Sequence, residues 1–272
     1  IASDLGLVVG EDVHLAYCPE RYNPGDKKNT ISNINRIVGS MRRDVGEFLV
    51  ALYSSINDAE VSYVGQMEVA ESAKLIENVQ RDINIALVNE LSMILPKLGV
   101  DIEEVLNAAS TKWNFHRYSP GIGVGGHCIP VDPYFLIGQA VETNSSVELI
   151  SSAREINSYM PIHVSNIISE ILESHDVGIK ESRILILGWS YKPNIGDSRG
   201  SPSLELAKIL NSKGAIISCC DAHVASQFPD FVSRVSIEGQ TPEFDIVILA
   251  TAHDDFVHMD WEEFGSSWNR RI

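Results

Sequence analysis

Cys128 is the side chain with the most chemical promise in this 272-residue sequence. It follows His127 and a glycine run made by Gly121, Gly123, Gly125 and Gly126, and Asp132 lies four residues beyond it. A thiol in such a place can act as a nucleophile if a neighbour stabilises its thiolate. The alternative is a small apolar residue packed in a core. The glycines mark backbone that must approach something closely. GIGVGG fits G-x-G-x-x-G letter for letter, but a dinucleotide fingerprint needs a strand directly before it and a helix opening at its end. Here WNFHRYSP before it is polar and broken by proline, and HCIPVDP after it holds two prolines, so the match is rejected.

Lys74 and Asn78 are four apart in a long helical pattern, with Glu71 and Asp82 on nearly the same stripe. Residues at that spacing project from one helix face. The stripe reads either as a solvated face or as a group of side chains that act together. A third cluster lies in WSYKPNIGDSRGSP, after the apolar run RILILG. Doubly wound sheets bind ligands at that place, outside the carboxyl end of a strand. The loop carries Lys192 and Arg199, and a helix is expected to start near Pro202. Such a loop suits an anion such as a diphosphate, unless the two cations are merely surface charges. Asp221, after the next strand, stands where a dinucleotide fold has its ribose-binding acid, but without the glycine fingerprint that role is not expected of it. The four cysteines, Cys18, Cys128, Cys219 and Cys220, form no CxxC pair and no zinc pattern, so no metal site is expected. Cys219 and Cys220 are expected to be buried packing residues.

These groups need elements to hold them. Residues 1–64 read as mixed α/β, with VHLAYCPE and RIVG as strand-like runs and VGEFLVALYSSI helical. A long helix is expected over about 67–95, because Val69, Ile76, Ile83, Leu87, Leu91 and Ile94 track a 3.6-residue period. Pro96 ends it. Asp101 and Glu104 give a start signal for a short helix over 102–109. Residues 110–132 read as a loop, and 146–174 as helical, with Pro161 a kink or a break. After 180, RILILG, AIISCC and DIVILAT read as strands, and SLELAKILNSKG as a helix closed by Gly214. Strands alternating with helices predict a parallel, Rossmann-like sheet.

Composition narrows the function classes. With 21 basic and 37 acidic residues the formal charge is −16. That argues against a nucleic-acid partner, which needs a basic footprint, and against attraction to anionic lipid. No apolar run reaches the length of a membrane span. Sparse, unpaired cysteines suit a reducing cytoplasm, and no secretory signal is visible.

Together the segments CPERYNPGD (18–26), AESAKLIENVQRDINIALVNEL (70–91), PGIGVGGHCIPVDPYFL (120–136), AREINSYMP (153–161) and LGWSYKPNIGDSRGSPSLEL (187–206) resemble the UDP-glucose/GDP-mannose dehydrogenase family. CPER and GGHCIPVDPYFL are most similar to its branch acting on UDP-N-acetylhexosamines. The resemblance implies an α/β chain in three parts. These are a remnant of an NAD-binding Rossmann domain (1–65), a central long-helix dimerisation domain with the catalytic cysteine loop (66–174), and a C-terminal Rossmann-like UDP-binding domain (175–272). It implies NAD as cofactor, a UDP-sugar substrate with UDP-N-acetylmannosamine expected, and a homodimer formed through helix 67–95. The implied reaction is a four-electron oxidation of a C6 alcohol to a carboxylate through a thiohemiacetal and thioester on Cys128. Lys74 and Asn78 would hold the C6 oxygen, Asp132 would assist proton transfer or orient water, and Glu20 would act in thioester hydrolysis. Arg21, Tyr118, Gly121, Gly125, Tyr191 and Lys192 would bind substrate, and Arg199 would reach the cofactor. Alternatives are a UDP-glucose 6-dehydrogenase, or a non-catalytic dimeric fragment that binds UDP-sugar. The sequence holds no N-terminal G-x-G-x-x-G and stops in WNRRI before the last strand expected of the UDP-binding domain, so it is expected to be a fragment or a truncated product.

Overall fold

The computed structural model describes residues 2–266 apart from 24, 27, 226–227 and 238–243. Pro24 of CPERYNPGD and the closing WNRRI therefore lie outside the described residues. The chain divides into two compact units, Ile1–Asn78 and Val79–Ile272.

In the first unit, β1 (Ala16–Tyr17), β2 (Arg36–Ser40), α1 (Arg43–Ser54) and β3 (Val61–Gly65) form a small sheet in the order β1-β2-β3. Helix α1 carries the chain from β2 to its parallel neighbour β3, while β1 runs antiparallel to β2. The strand expected over VHLAYCPE is thus reduced to two residues, and β3 is an addition to the expected elements. Gly46 lets α1 lie directly on Tyr63 and Ser40.

Helix α2 (Met67–Ile94) follows, and a short 3₁₀ turn, Leu95–Leu98, closes on Gly99 in the left-handed conformation. The buried side of this helix is mixed, with Ala70, Val79, Ala86 and Val88 buried alongside polar side chains. Val69, Ile76, Leu87 and Ile94 are 47%, 57%, 52% and 45% exposed, while Asn78, Asp82 and Asn89 are buried. The reading of a solvated polar face is therefore corrected at Asn78 and Asp82; Glu71 alone of the four stripe residues is exposed, and Lys74 is half-buried.

The second unit continues with α3 (Ile102–Ala109), α4 (Asp132–Glu142) and α5 (Glu148–Ser174). Asp101 caps α3 by accepting hydrogen bonds from the N–H groups of Glu103 and Glu104, which satisfies donors that the first turn leaves open. Helix α4 has no counterpart among the expected elements. Helix α5 runs on through Pro161, so this proline ends nothing. Met160 and Pro161 are both buried, and packing offsets the lost N–H bond.

The rest is a four-stranded parallel sheet, order β6-β5-β4-β7, made by β4 (Arg183–Leu187), β5 (Ile216–Cys220), β6 (Val232–Arg234) and β7 (Ile246–Leu249). Helix α6 (Pro202–Ser212) joins β4 to β5; Ser201 caps it by accepting from Ser203 N–H. The uninterrupted apolar run of β4 suits a central strand covered on both faces. Ile184 and Ile186 pack with Ile168 and Leu172 of α5 and Leu206 and Leu210 of α6. Leu185 and Leu187 pack on the other face with Phe244 and Phe256. Cys219 is buried, and its thiol pKa is raised by that burial; Cys220 is only half-buried, a correction to its expected burial. Two short helices, α7 (Asp254–Val257) and α8 (Trp261–Ser266), follow. Among the described residues no single helix is long and apolar enough to cross a membrane.

Candidate active site

The glycine loop and the loop after β4 are folded onto each other. Gly126 N–H donates to Arg199 O at 3.2 Å. A Cβ built at Gly125 would stand 2.6 Å from Tyr191 Cβ, 2.8 Å from Pro202 Cδ and 2.9 Å from Gly200 O. Gly126 and Gly200 take positive φ and meet each other's backbone and the Tyr191 ring. The close approach demanded by the glycines is thus to the protein's own 191–202 segment. Gly121 differs: the space around its Cα is open, and its N–H donates to Asn89 Oδ1 at 2.9 Å.

Cys128 is exposed at the end of this loop. Its carbonyl accepts from Val131 and Asp132 N–H, a tight turn that leads into α4 with Asp132 as the first helical residue. The core-packing reading of Cys128 is thereby corrected. Burial raises the Tyr191 pKa, and the charges of Asp197 and Cys128 raise it further, against Arg199. Thiol, phenol and guanidinium therefore share one electrostatic neighbourhood. The Arg199 guanidinium is paired with Asp197, Nη2 to Oδ2 at 2.7 Å, and this pairing holds the Asp197 carboxyl below the usual range. Lys192, half-buried, is on the same loop as Tyr191, and Tyr118 is half-buried before the glycines.

The sequence reading missed a buried polar relay behind the loop. Asn89 holds Gly121 through Oδ1 and donates from Nδ2 to Asn157 Oδ1 at 2.9 Å. Asn157 Nδ2 donates to Asp82 Oδ1 at 2.8 Å, and Arg154 Nη1 donates to the same oxygen at 2.9 Å. Burial raises the Asp82 pKa and outweighs the Arg154 charge and the Asn157 bond. AREINSYMP marks this relay in the sequence, since Arg154 and Asn157 sit on one face of α5.

In the first unit, Glu20 Oε1 accepts from its neighbours' backbone, Arg21 and Tyr22 N–H, and its Oε2 lies 3.5 Å from Arg36. Arg21 pairs with Glu77 at 2.6 Å and donates to Asn35 O. Glu20 is exposed and Arg21 half-buried. Lys74 and Asn78 are in the N-terminal half of α2.

Asp221 is not available to a ribose, in keeping with the missing glycine fingerprint. Its Oδ2 accepts from Trp189 and Ser190 N–H and approaches His253 Nε2, and its Oδ1 accepts from His223 and Val224 N–H. A dinucleotide needs glycines at a strand-to-helix turn for its pyrophosphate and an acid for its ribose. The glycine loop is filled by Tyr191 and Pro202, and Asp221 is spent within the fold. The described residues therefore build no dinucleotide cradle, and Arg199 is engaged by Asp197. Among the described residues no group of three or more His, Cys, Asp or Glu side chains is arranged to hold a metal ion.

Comparison with known proteins adds an independent view. Residues 68–159 match the central domain of the UDP-glucose/GDP-mannose dehydrogenase family, and residues 185–272 match the UDP binding domain of the same family. Protein CapL of Staphylococcus aureus is 38% identical over 255 residues, covering 93% of this chain and 60% of that protein. A UDP-N-acetyl-D-glucosamine 6-dehydrogenase of Pseudomonas aeruginosa is 36% identical over 260 residues, covering 94% and 61%. A solved structure of a UDP-D-ManNAc dehydrogenase from Pyrococcus horikoshii superposes with a TM-score of 0.87 at 32% identity, covering all of this chain and 62% of the other. The chain spans about three fifths of the curated relatives it matches.

Proposed function

Because this chain belongs to the UDP-glucose/GDP-mannose dehydrogenase family, we propose that it is the substrate-binding and nucleophile-bearing part of an enzyme that oxidises the C6 alcohol of a UDP-N-acetylhexosamine to the uronate. UDP-N-acetylmannosamine is the favoured substrate, in keeping with the CPER and GGHCIPVDPYFL segments. The observation that carries this reading is the exposed Cys128 at the end of a glycine loop locked onto the Tyr191–Arg199 loop. Cys219 is buried, and Cys18 and Cys220 are half-buried.

NAD, when bound, would supply the hydride acceptor for both oxidations, of the alcohol to the aldehyde and of the thiol adduct to the thioester. The part assigned to this chain is covalent capture of the C6 aldehyde and hydrolysis of the resulting thioester. The Cys128 thiolate adds to the C6 aldehyde, its sulfur bonding to carbon while the carbonyl oxygen takes a proton. Oxidation of that adduct, for which a bound nicotinamide would be the hydride acceptor, also releases the hydroxyl proton and would leave a thioester. Water then adds, the C–S bond breaks, and the sulfur leaves as thiolate with a carboxylate as product. Lys74 and Asn78 match the family pair at the C6 oxygen, where a donor aimed at developing charge is worth roughly 3–4 kcal/mol. Asp132 and Glu20 are assigned proton transfer and water activation. Tyr191 and Lys192 take the nucleotide, and Arg21, Tyr118, Gly121 and Gly125 complete the substrate contacts. Arg199 is assigned to the cofactor side. The three-part division at residues 65 and 174 belongs to the same reading, as does a homodimer through α2, which the exposed apolar stripe of that helix supports. The four cysteines form no disulfide among the described residues, which suits a cytoplasmic setting.

The test is alkylation of Cys128 by iodoacetamide, followed by mass spectrometry of the whole chain. UDP-N-acetylmannosamine should slow it more than UDP-glucose does. Equal labelling with and without any UDP-sugar would overturn the assignment, and stronger protection by UDP-glucose would move the substrate to the other branch.

A further inference from the structure

Three parallel strands, β4, β5 and β7, end side by side, and the residues just past their carboxyl ends are tied together by a polar clasp. Beyond β5, Asp221 Oδ2 accepts from Trp189 N–H at 2.6 Å and Ser190 N–H at 3.0 Å. Beyond β7, Thr251 Oγ1 donates to Ser190 O at 2.6 Å, and Asp254 N–H donates to Asn194 Oδ1 at 2.9 Å. His253 stands between them, 1% exposed. Its Nε2 lies 3.1 Å from Asp221 Oδ2 and 3.3 Å from Ser190 Oγ, and its Nδ1 lies 2.8 Å from Asn194 N.

Ser, His and Asp together invite comparison with a hydrolytic triad, in which Ser and Asp use opposite ring nitrogens. Here both are on Nε2, Ser190 is buried, and its hydroxyl donates to Lys192 O at 2.9 Å. The geometry fixes the tautomer instead. A backbone N–H can only donate, so Nδ1 must be a bare acceptor, and the ring proton is on Nε2, facing Asp221. Protonating Nδ1 would set two donors against each other.

Asn194, the donor of the bond to His253 Nδ1, lies in the loop that carries Tyr191 and Lys192. Asn194 itself takes positive φ, a conformation that Asn adopts more readily than most other non-glycine residues. We propose that His253 is the positioning residue of this loop: neutral, with its proton on Nε2 toward Asp221, it fixes Asn194 and so sets Tyr191 and Lys192 for the UDP diphosphate. This rests on the reading of that loop as the UDP site.

The two functions of the ring can be separated. In His253→Asn an amide oxygen replaces Nδ1, and in His253→Gln an amide nitrogen replaces Nε2. Calorimetry with UDP on the 272-residue chain should show His253→Asn close to the parent. His253→Gln and His253→Phe should bind about tenfold more weakly, the loss expected for one buried hydrogen bond. Equal losses in all three variants, or none, would overturn the proposal. If the Gln and Phe variants fail to fold, nitrogen NMR of the parent decides: Nδ1 should be unprotonated and Asn194 N–H exchange should slow when UDP binds. A proton on Nδ1, or exchange indifferent to UDP, would refute the positioning role. A parent chain that binds no UDP would remove the nucleotide assignment itself, and His253 would have no such loop to position.

Discussion

Gly125→Ala should separate the cysteine loop from the nucleotide loop, while Gly121→Ala should leave both in place. Neither glycine needs left-handed backbone, so the contrast is purely one of space. The new methyl at position 125 would lie 2.6 Å from Tyr191 Cβ, 2.8 Å from Pro202 Cδ and 2.9 Å from Gly200 O, against an ordinary carbon separation of about 3.5–4.0 Å. None of those atoms is the tip of a flexible side chain. The segments must part by roughly 1 Å, and overpacking of this kind costs about 1–3 kcal/mol. For a unit of this size that lowers the melting temperature by about 3–9 °C. At Gly121 nothing lies within 4 Å of the added methyl, and the expected change is within about 0.5 kcal/mol. Thermal melts followed by circular dichroism give the stability difference. UDP calorimetry reads the function: affinity should fall in Gly125→Ala and hold in Gly121→Ala. A Gly125→Ala chain that melts within about 1 °C of the parent and binds UDP as tightly would refute the account of why these glycines are needed.

Asp82→Ala should cost about 1–3 kcal/mol in urea unfolding, because the Arg154 and Asn157 donors lose the buried acceptor they share. Burial raises the folded-state pKa of Asp82, so its contribution is full below about pH 4 and is lost as pH rises through the raised value; Asp82→Asn should flatten that slope. Ile76→Glu, on the exposed stripe of α2, should convert a dimeric parent to monomer in light scattering, and a parent already monomeric at micromolar concentration would refute the α2 interface.

Some of this protein was legible one segment at a time. The Asp101 cap, the alternating strands and helices after residue 180, and the isolated Cys128 beside its glycines are local signals, decided by residues a few positions apart. Tertiary structure decided the rest. Asp82 carries the same helical spacing whether it faces water or a core, and its burial was decided by α5, 72 residues away at Arg154. The glycine pattern showed that something comes close, but not that the partner is the chain's own Tyr191 and Pro202. Asp221 and His253 are 32 positions apart, on different strand ends, and no local pattern joins them. Buried polar groups choose partners by three-dimensional proximity and by the cost of leaving a donor or acceptor unmet, and sequence spacing does not encode that proximity.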